Sequence, residues 1–242
     1  MWKKTIRILD KLTDLVIVCF FLPILCFGIY GLWDSQHISA AADAKVYETY
    51  RPGKDADSFA ALKQKNPEVF GWLTVEGTHI DYPLVQGDNN SKYVNTDVSG
   101  SFSLSGSLFL DCRNDASFQD LNNVIYGHHM EKDAMFGELE QFADKAYMDA
   151  HPTGSLYYDG TWHTVEWFAF TRADAYDEVL YNVLLAQNEQ PVYLQSLQTK
   201  ASQYKDIDIR PEDRFVALST CTDTSTNGRH LLVGKLKEGG KQ

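Results

Sequence analysis

Three side chains in this sequence combine into chemistry: Cys221, His128 and Arg229. Cys221 ends the apolar run FVALST (215–220) and precedes the polar stretch TDTSTNG, so its thiol sits where a rigid strand meets solvent. His128 ends VIYG (124–127) in the same manner, and Arg229 opens HLLVGKL (230–236). A thiolate is the effective sulfur nucleophile and needs a cationic neighbour at neutral pH. A histidine supplies that charge and later protonates a departing amine. An arginine offers fixed donors for a substrate carbonyl or a developing oxyanion. Together they spell acyl transfer, with Asp223 close enough in sequence to orient a partner.

Each residue also has a plainer reading. Cys221 fits a buried structural cysteine, since free cysteine is among the most buried residue types. His128 and His129 fit loop histidines, and Arg229 fits a partner for one of many surface acids. A metal site starting at His128-His129-Met130-Glu131 lacks the HExxH spacing and an evident third ligand. The pattern calls for no metal or organic cofactor.

Such a trio must be positioned by strands, and the chain supplies them. FGWLTV (70–75) and HIDYPLVQ (79–86), joined at Glu76-Gly77, read as paired strands. SGSLFLDC (105–112) and NNVIYGH (122–128) follow as further strands, and MFGELEQF (135–142) fits one short helix. SLYYD (155–159), a turn at Gly160 and the alternation from Trp162 to Phe170 make a hairpin. Residues 176–204 read as one or two helices inserted before RFVALSTC (214–221) and HLLVGKL, which close the domain. Ser58 caps a helix through Lys65 that ends at Asn66-Pro67. Many short strands without a βαβ rhythm argue for a mainly β (α+β) domain: a closed antiparallel barrel decorated by helices. If the strands of Cys221 and Arg229 are neighbours, the three side chains converge on one barrel rim.

The N-terminal segment sets the compartment. Leu15 to Trp33 is nineteen residues without a charge, close to the ~20 needed to span the hydrocarbon core. Pro23 near its middle is tolerated better in a bilayer than in water. Lys3, Lys4, Arg7 and Lys11 on the preceding flank predict a cytoplasmic N-terminus, with everything after Asp34 outside the cell. A cleaved signal peptide is the rival, since small residues follow at 39–44, but its apolar core usually runs to only ~7–15 residues. The expected organisation is therefore a cytoplasmic tip and single-pass anchor (1–34), a stalk (35–57) and an exported domain (58–242). The formal net charge is −11, and residues 1–33 carry a net +2, so the exported part holds −13. That excludes nucleic acid as a natural partner. Outside the membrane segment, which holds Cys19 and Cys26, only Cys112 and Cys221 remain. They either form a disulfide, as exported pairs often do, or leave Cys221 as a free reactive thiol.

The strings VIYGHHM (124–130), ALSTCT (217–222) and GRHLLVGKL (228–236) resemble the catalytic signatures of sortases, transpeptidases of Gram-positive cell surfaces. The order His, then Leu-Ser-Thr-Cys, then Arg matches that family, whereas papain-like hydrolases place Cys before His. GWLTVEGTHIDYPLVQGDNNSKYVN (71–95), SGSLFLDCRN (105–114), MFGEL (135–139) and the insertion at 176–204 resemble class B in particular. The resemblance spans roughly residues 58–238. It implies that Cys221 attacks the carbonyl after threonine in a C-terminal sorting signal of NPxTN or xPxTG type, giving a thioacyl enzyme. It further implies His128 as the proton carrier, Arg229 at the carbonyl or oxyanion, and Ser219, Thr220 and the 176–204 insertion as groove lining. The implied partners are surface proteins or pilins with that signal, and an acceptor amine from a peptidoglycan precursor (lipid II) or a pilin lysine. A membrane-tethered β domain that only binds a surface ligand is the reading from outside the enzyme class.

Overall fold

Alternation decides which residues meet in this chain, because successive side chains on a strand face opposite sides. In the computed structural model, which describes residues 2–53, 58–131, 133–221 and 226–237, two compact units form, one up to Ala40 and one from Ala41 on. The first is a single helix, α1 (Trp2–Ala41), continuous through Pro23, with no buried residue. Its most apolar 18-residue stretch has a mean hydropathy of 2.6, and the helix is long and apolar enough to cross a membrane.

The second unit contains α2 (Ser58–Lys65), β1 (Val69–Val75), β2 (Asp81–Val85), β3 (Leu108–Leu110), β4 (Asn122–Tyr126) and α3 (Lys145–Ala150). After these come β5 (Thr153–Tyr158), β6 (Thr161–Asp174), α4 (Gln190–Lys200), β7 (Ala201–Tyr204), β8 (Arg214–Cys221) and β9 (Gly228–Leu236). Strand order is β5-β1-β2-β3-β4-β8-β9-β6, and β5 pairs with β6, so eight strands close a barrel while β7 extends β6 outward. Closure removes the exposed edges of these strands. The expected mainly β barrel is present, with one refinement. Its junctions are antiparallel except at β2–β3 and β4–β8, which are parallel. Both parallel pairs are joined by long crossovers rather than tight turns, as parallel neighbours require.

Strands β4, β8 and β9 are apolar on both faces, and the structure gives the reason. Ile125, Val216, Leu218 and Leu232 point into the barrel interior. Val124, Phe215, Ala217, Leu231 and Val233 point outward, under a cover that includes Leu180, Val183, Leu185, Tyr193 and Leu197. This cover is the insertion between β6 and β8. It holds one helix, α4, and the strand β7, where the sequence pattern predicts one or two helices over 176–204. Residues 175–189 turn instead, because polar side chains cap backbone groups locally. Asp177 Oδ1 accepts from the Val179 and Leu180 amides, Asn182 Oδ1 from that of Leu184, and Glu189 Oε2 from that of Ala186. The segment MFGELEQF likewise forms a 3₁₀ helix (Gly137–Ala143) rather than an α-helix.

Residues 41–53, assigned to the stalk by the sequence reading, fold onto the barrel as two 3₁₀ turns. Ala42 is buried, and its carbonyl accepts a 2.8 Å hydrogen bond from the Tyr82 hydroxyl, which itself accepts from the Met135 amide. Arg51 pairs with Asp81 at 3.1 Å and lies 5.0 Å from the centre of the Trp162 ring system.

Candidate active site

The register of β8 and β9 pairs Cys221 directly with Arg229, and Thr220 with His230. Alternation then sorts the side chains: Cys221 and Ser219 lie on the outer face with Phe215 and Ala217, and Arg229 lies there with Leu231 and Val233. His128 arrives from the adjoining strand. The β4–β8 ladder pairs Tyr126 with Ser219 and continues in the Gly127 amide, which donates to the Ser219 carbonyl at 3.1 Å. The three residues therefore meet at the strand ends on the barrel's outer face. They line one cleft of about 420 Å³. Cys221 is exposed, and His128 and Arg229 are half-buried.

His128 is held through its ring and through its backbone. Its Nε2 lies 2.7 Å from the Val94 carbonyl, so that nitrogen carries the proton and donates it, leaving Nδ1 for a second partner. Its own carbonyl accepts from the Phe136 amide at 2.9 Å. Gly106, at φ +59°, packs against the same carbonyl; a Cβ there would lie 2.5 Å from its oxygen. Arg229 is steadied by its Nη1, which donates to the Gly228 carbonyl at 2.8 Å.

Gly127 fixes the approach of His128 in another way. A Cβ at this position would sit 2.3 Å from Leu108 Cδ2 and 2.7 Å from Phe136 Cδ2. Gly127→Ala is expected to cost about 1–3 kcal/mol through overpacking and to displace His128. Thermal unfolding and turnover measured together check this: turnover falls more steeply than stability alone explains, whereas an unchanged melting temperature and rate contradict it.

Of the other residues singled out from the sequence, Ser219 and Thr220 line the cleft, and both are buried. Ser219 Oγ shares a 2.8 Å hydrogen bond with the Tyr181 hydroxyl, which ties the cover to the floor. Thr220, on the inward parity, leaves its hydroxyl without a hydrogen-bond partner. Asp223 lies outside the described residues. Cys112 and Cys221 are both free thiols, so the disulfide weighed from the sequence is not formed.

The expectation that the 176–204 insertion lines the groove is met by Tyr181, while Asn90, Val94, Phe109, Arg113 and Tyr126 join the lining without having been named for it. Phe109, Tyr126 and Tyr181 form an aromatic surface: the Phe109 and Tyr126 rings are 5.3 Å apart, and those of Tyr126 and Tyr181 stack at 6.5 Å. Burial pushes the Tyr181 phenol up to about 12, so it stays a neutral donor and acceptor beside Ser219. Burial, reinforced by the charge of Asp111, pushes Tyr126 up as well.

Asp111 is the hub behind this wall. It is fully buried, and burial alone would raise its pKa; the Arg113 guanidinium and amide and Asn90 outweigh that and hold it below the ordinary aspartate value. It accepts from Arg113 Nε (2.9 Å), Arg113 Nη2 (2.8 Å), the Arg113 amide (3.0 Å), Asn90 Nδ2 (2.9 Å) and the Tyr126 hydroxyl (3.1 Å). The string DCR was visible in the sequence, and an acid two residues before an arginine at a strand end was the available signal.

Comparison with known proteins follows the same lines. Residues 73–237 match the sortase domain family model. The chain is 34% identical over 189 residues to the sortase B of Listeria monocytogenes, covering 76% of each protein. It is 42% identical, with a TM-score of 0.69, to a Streptococcus pyogenes class B sortase involved in pilus biogenesis, covering 74% of this chain and 97% of that one. A sortase B from the type II pilus of Streptococcus pneumoniae is 41% identical, with a TM-score of 0.64, over 74% of this chain and 98% of that one.

Proposed function

The chain belongs to the sortase family, in class B, whose members are cysteine transpeptidases, and from that premise we propose how its own residues carry the reaction. The observation that supports the assignment is the cross-strand pair of Cys221 and Arg229 on one outer face, with His128 delivered beside it by the parallel β4–β8 junction.

Cys221 Sγ, as thiolate, attacks the carbonyl carbon that follows from the threonine of an NPxTN or xPxTG sorting signal. Arg229 donates hydrogen bonds to the oxyanion that forms. His128, as the imidazolium partner of that thiolate, keeps its Nε2 proton on the Val94 carbonyl and gives its Nδ1 proton to the departing amine as the peptide bond breaks, leaving a thioacyl enzyme. An incoming amine then attacks the thioester, His128 takes up its proton, and the thiolate of Cys221 is released. The Val94 carbonyl acts as the orienter of the imidazole throughout, the part played by a third group in other nucleophile–base pairs. Ser219, Thr220 and Tyr181 line the groove in which the signal lies, with Asp223 as a further binding residue.

The helix α1 serves as a single-pass anchor with a cytoplasmic N-terminus, which places the barrel outside the cell; the basic flank at Lys3, Lys4, Arg7 and Lys11 supports this orientation. The acceptor is a peptidoglycan-precursor amine, attaching surface proteins to the wall. A second reading, a pilin lysine as acceptor, is favoured by the pilus systems of the two relatives above 40% identity.

The test is mass spectrometry of the solubilised full chain with NPxTN and xPxTG peptides, offered glycine-type amines and lysine side-chain amines. A thioacyl adduct on Cys221 that one amine class resolves is the expected result and names the acceptor. Absence of any adduct across the peptide panel, with Cys221 alkylated normally, sinks the proposal.

A further inference from the structure

Two guanidiniums, Arg113 and Arg229, line the cleft, and among its described lining residues there is no aspartate or glutamate. Asp111, just behind the wall, balances the Arg113 charge, so what the cleft offers a ligand is the Arg229 charge and the N–H donors that Arg113 has left. Arg229 belongs to the chemistry above. Arg113 does not, and its setting is unlike that of a surface arginine.

Asp111, fully buried behind the wall, grips Arg113 through Nε and one Nη2 hydrogen. A guanidinium carries five N–H donors, so three remain unused by that grip. The side chain is 52% exposed, and it lies on the cleft surface. Asn90, the neighbouring lining residue, is fixed by the same carboxylate and by the Cys112 amide, which donates to Asn90 Oδ1 at 2.7 Å. The Tyr126 hydroxyl completes the frame. Asp111 thus spreads its charge over neutral donors as well as Arg113, and the guanidinium is held in one orientation before any ligand arrives. Fork-shaped presentation of this kind suits a carboxylate, which accepts two parallel N–H bonds.

We infer that Arg113, with Asp111 as its positioning residue, forms a subsite for a carboxylate carried by one of the two peptide substrates. The inference rests on the transpeptidase reading and adds the chemical class that the cleft selects. The carboxylate has two possible sources. It belongs either to an acidic residue at a variable position of the sorting signal or to the acceptor, as a free carboxyl group near the attacking amine.

The experiment uses the full chain in detergent micelles and matched substrates. In the donor arm, sorting-signal peptides differ only by Glu or Gln at each variable position. In the acceptor arm, triglycine is compared with triglycinamide and Nα-acetyl-lysine with Nα-acetyl-lysinamide. One arm is expected to show a KM about tenfold lower for the carboxylate form, equal to about 1.4 kcal/mol. That ratio collapses to near one in Arg113→Gln and recovers in part in Arg113→Lys, which keeps the charge but loses the fork. The double variant Asp111→Asn with Arg113→Gln leaves no unpaired buried charge; a collapsed ratio at an unchanged melting temperature separates binding from misfolding. Titration of both substrate pairs into Cys221→Ala by calorimetry reads the same ratio in Kd without turnover. It therefore tests the subsite even if no thioacyl adduct ever forms. Equal affinities for both members of every pair, or a preference that survives Arg113→Gln, overturns the inference.

Discussion

Replacing Cys221 with Ala abolishes the thioacyl adduct and lowers transfer by a factor on the order of 10⁴ or more, with no loss of fold. The size of the effect follows from the role: a nucleophile and its proton carrier act as a unit, and removing either removes the covalent route. The fold survives because Cys221 is exposed at the last position of β8, beyond the buried residues Phe215 to Thr220. Exposed substitutions of this kind usually fall within about 0.5 kcal/mol. Thermal unfolding and intact-mass analysis with a cognate peptide read both halves. Residual adduct on another residue, Cys112 for instance, would show that the nucleophile has been misassigned.

Arg229→Ala is expected to lower the rate of thioacyl formation by about 10²–10³, the cost of removing one donor from an oxyanion site. Arg229→Lys recovers only part of that, because an ammonium is a point charge without the planar fork. The loss falls on kcat more than on KM if the donor acts on the transition state rather than on the bound peptide. Alkylation of Cys221 by iodoacetamide proceeds in both variants, since the thiol lies at the exposed end of β8. Pre-steady-state acylation rates check this. An effect confined to KM moves Arg229 from the oxyanion to a binding contact.

The strands carrying the chemistry were legible because their signal is local. Continuous apolar runs ending in polar loops marked β8 and β9, and the short loop between them brought Cys221 and Arg229 together. The helix Ser58–Lys65 was equally legible from its Asn-Pro terminator, although Ser58 is its first residue and donates its hydroxyl to the Arg51 carbonyl at 3.3 Å. The insertion was read less well. Residues 176–189 have helical composition, but Asp177, Asn182 and Glu189 cap successive turns and stop a helix from propagating. The insertion is expected to line the groove, but that Tyr181 is the residue meeting Ser219 depends on how the segment lies across the outer face.

The sequence by itself determined the membrane-length helix, the β texture, and a Cys, a His and an Arg each at a strand end. Those properties follow from the periodicity of short stretches, which neighbouring residues dictate. Only the tertiary structure decided that the trio, at those strand ends, faces outward. It also decided that β4 joins β8 in parallel to deliver His128, and that Val94 orients its ring. The wall of Asn90, Arg113 and Tyr126 gathers on a buried Asp111 by the same means. These features join segments far apart in the chain, and what selects them is the closure of the barrel and the need to give every buried polar group a partner.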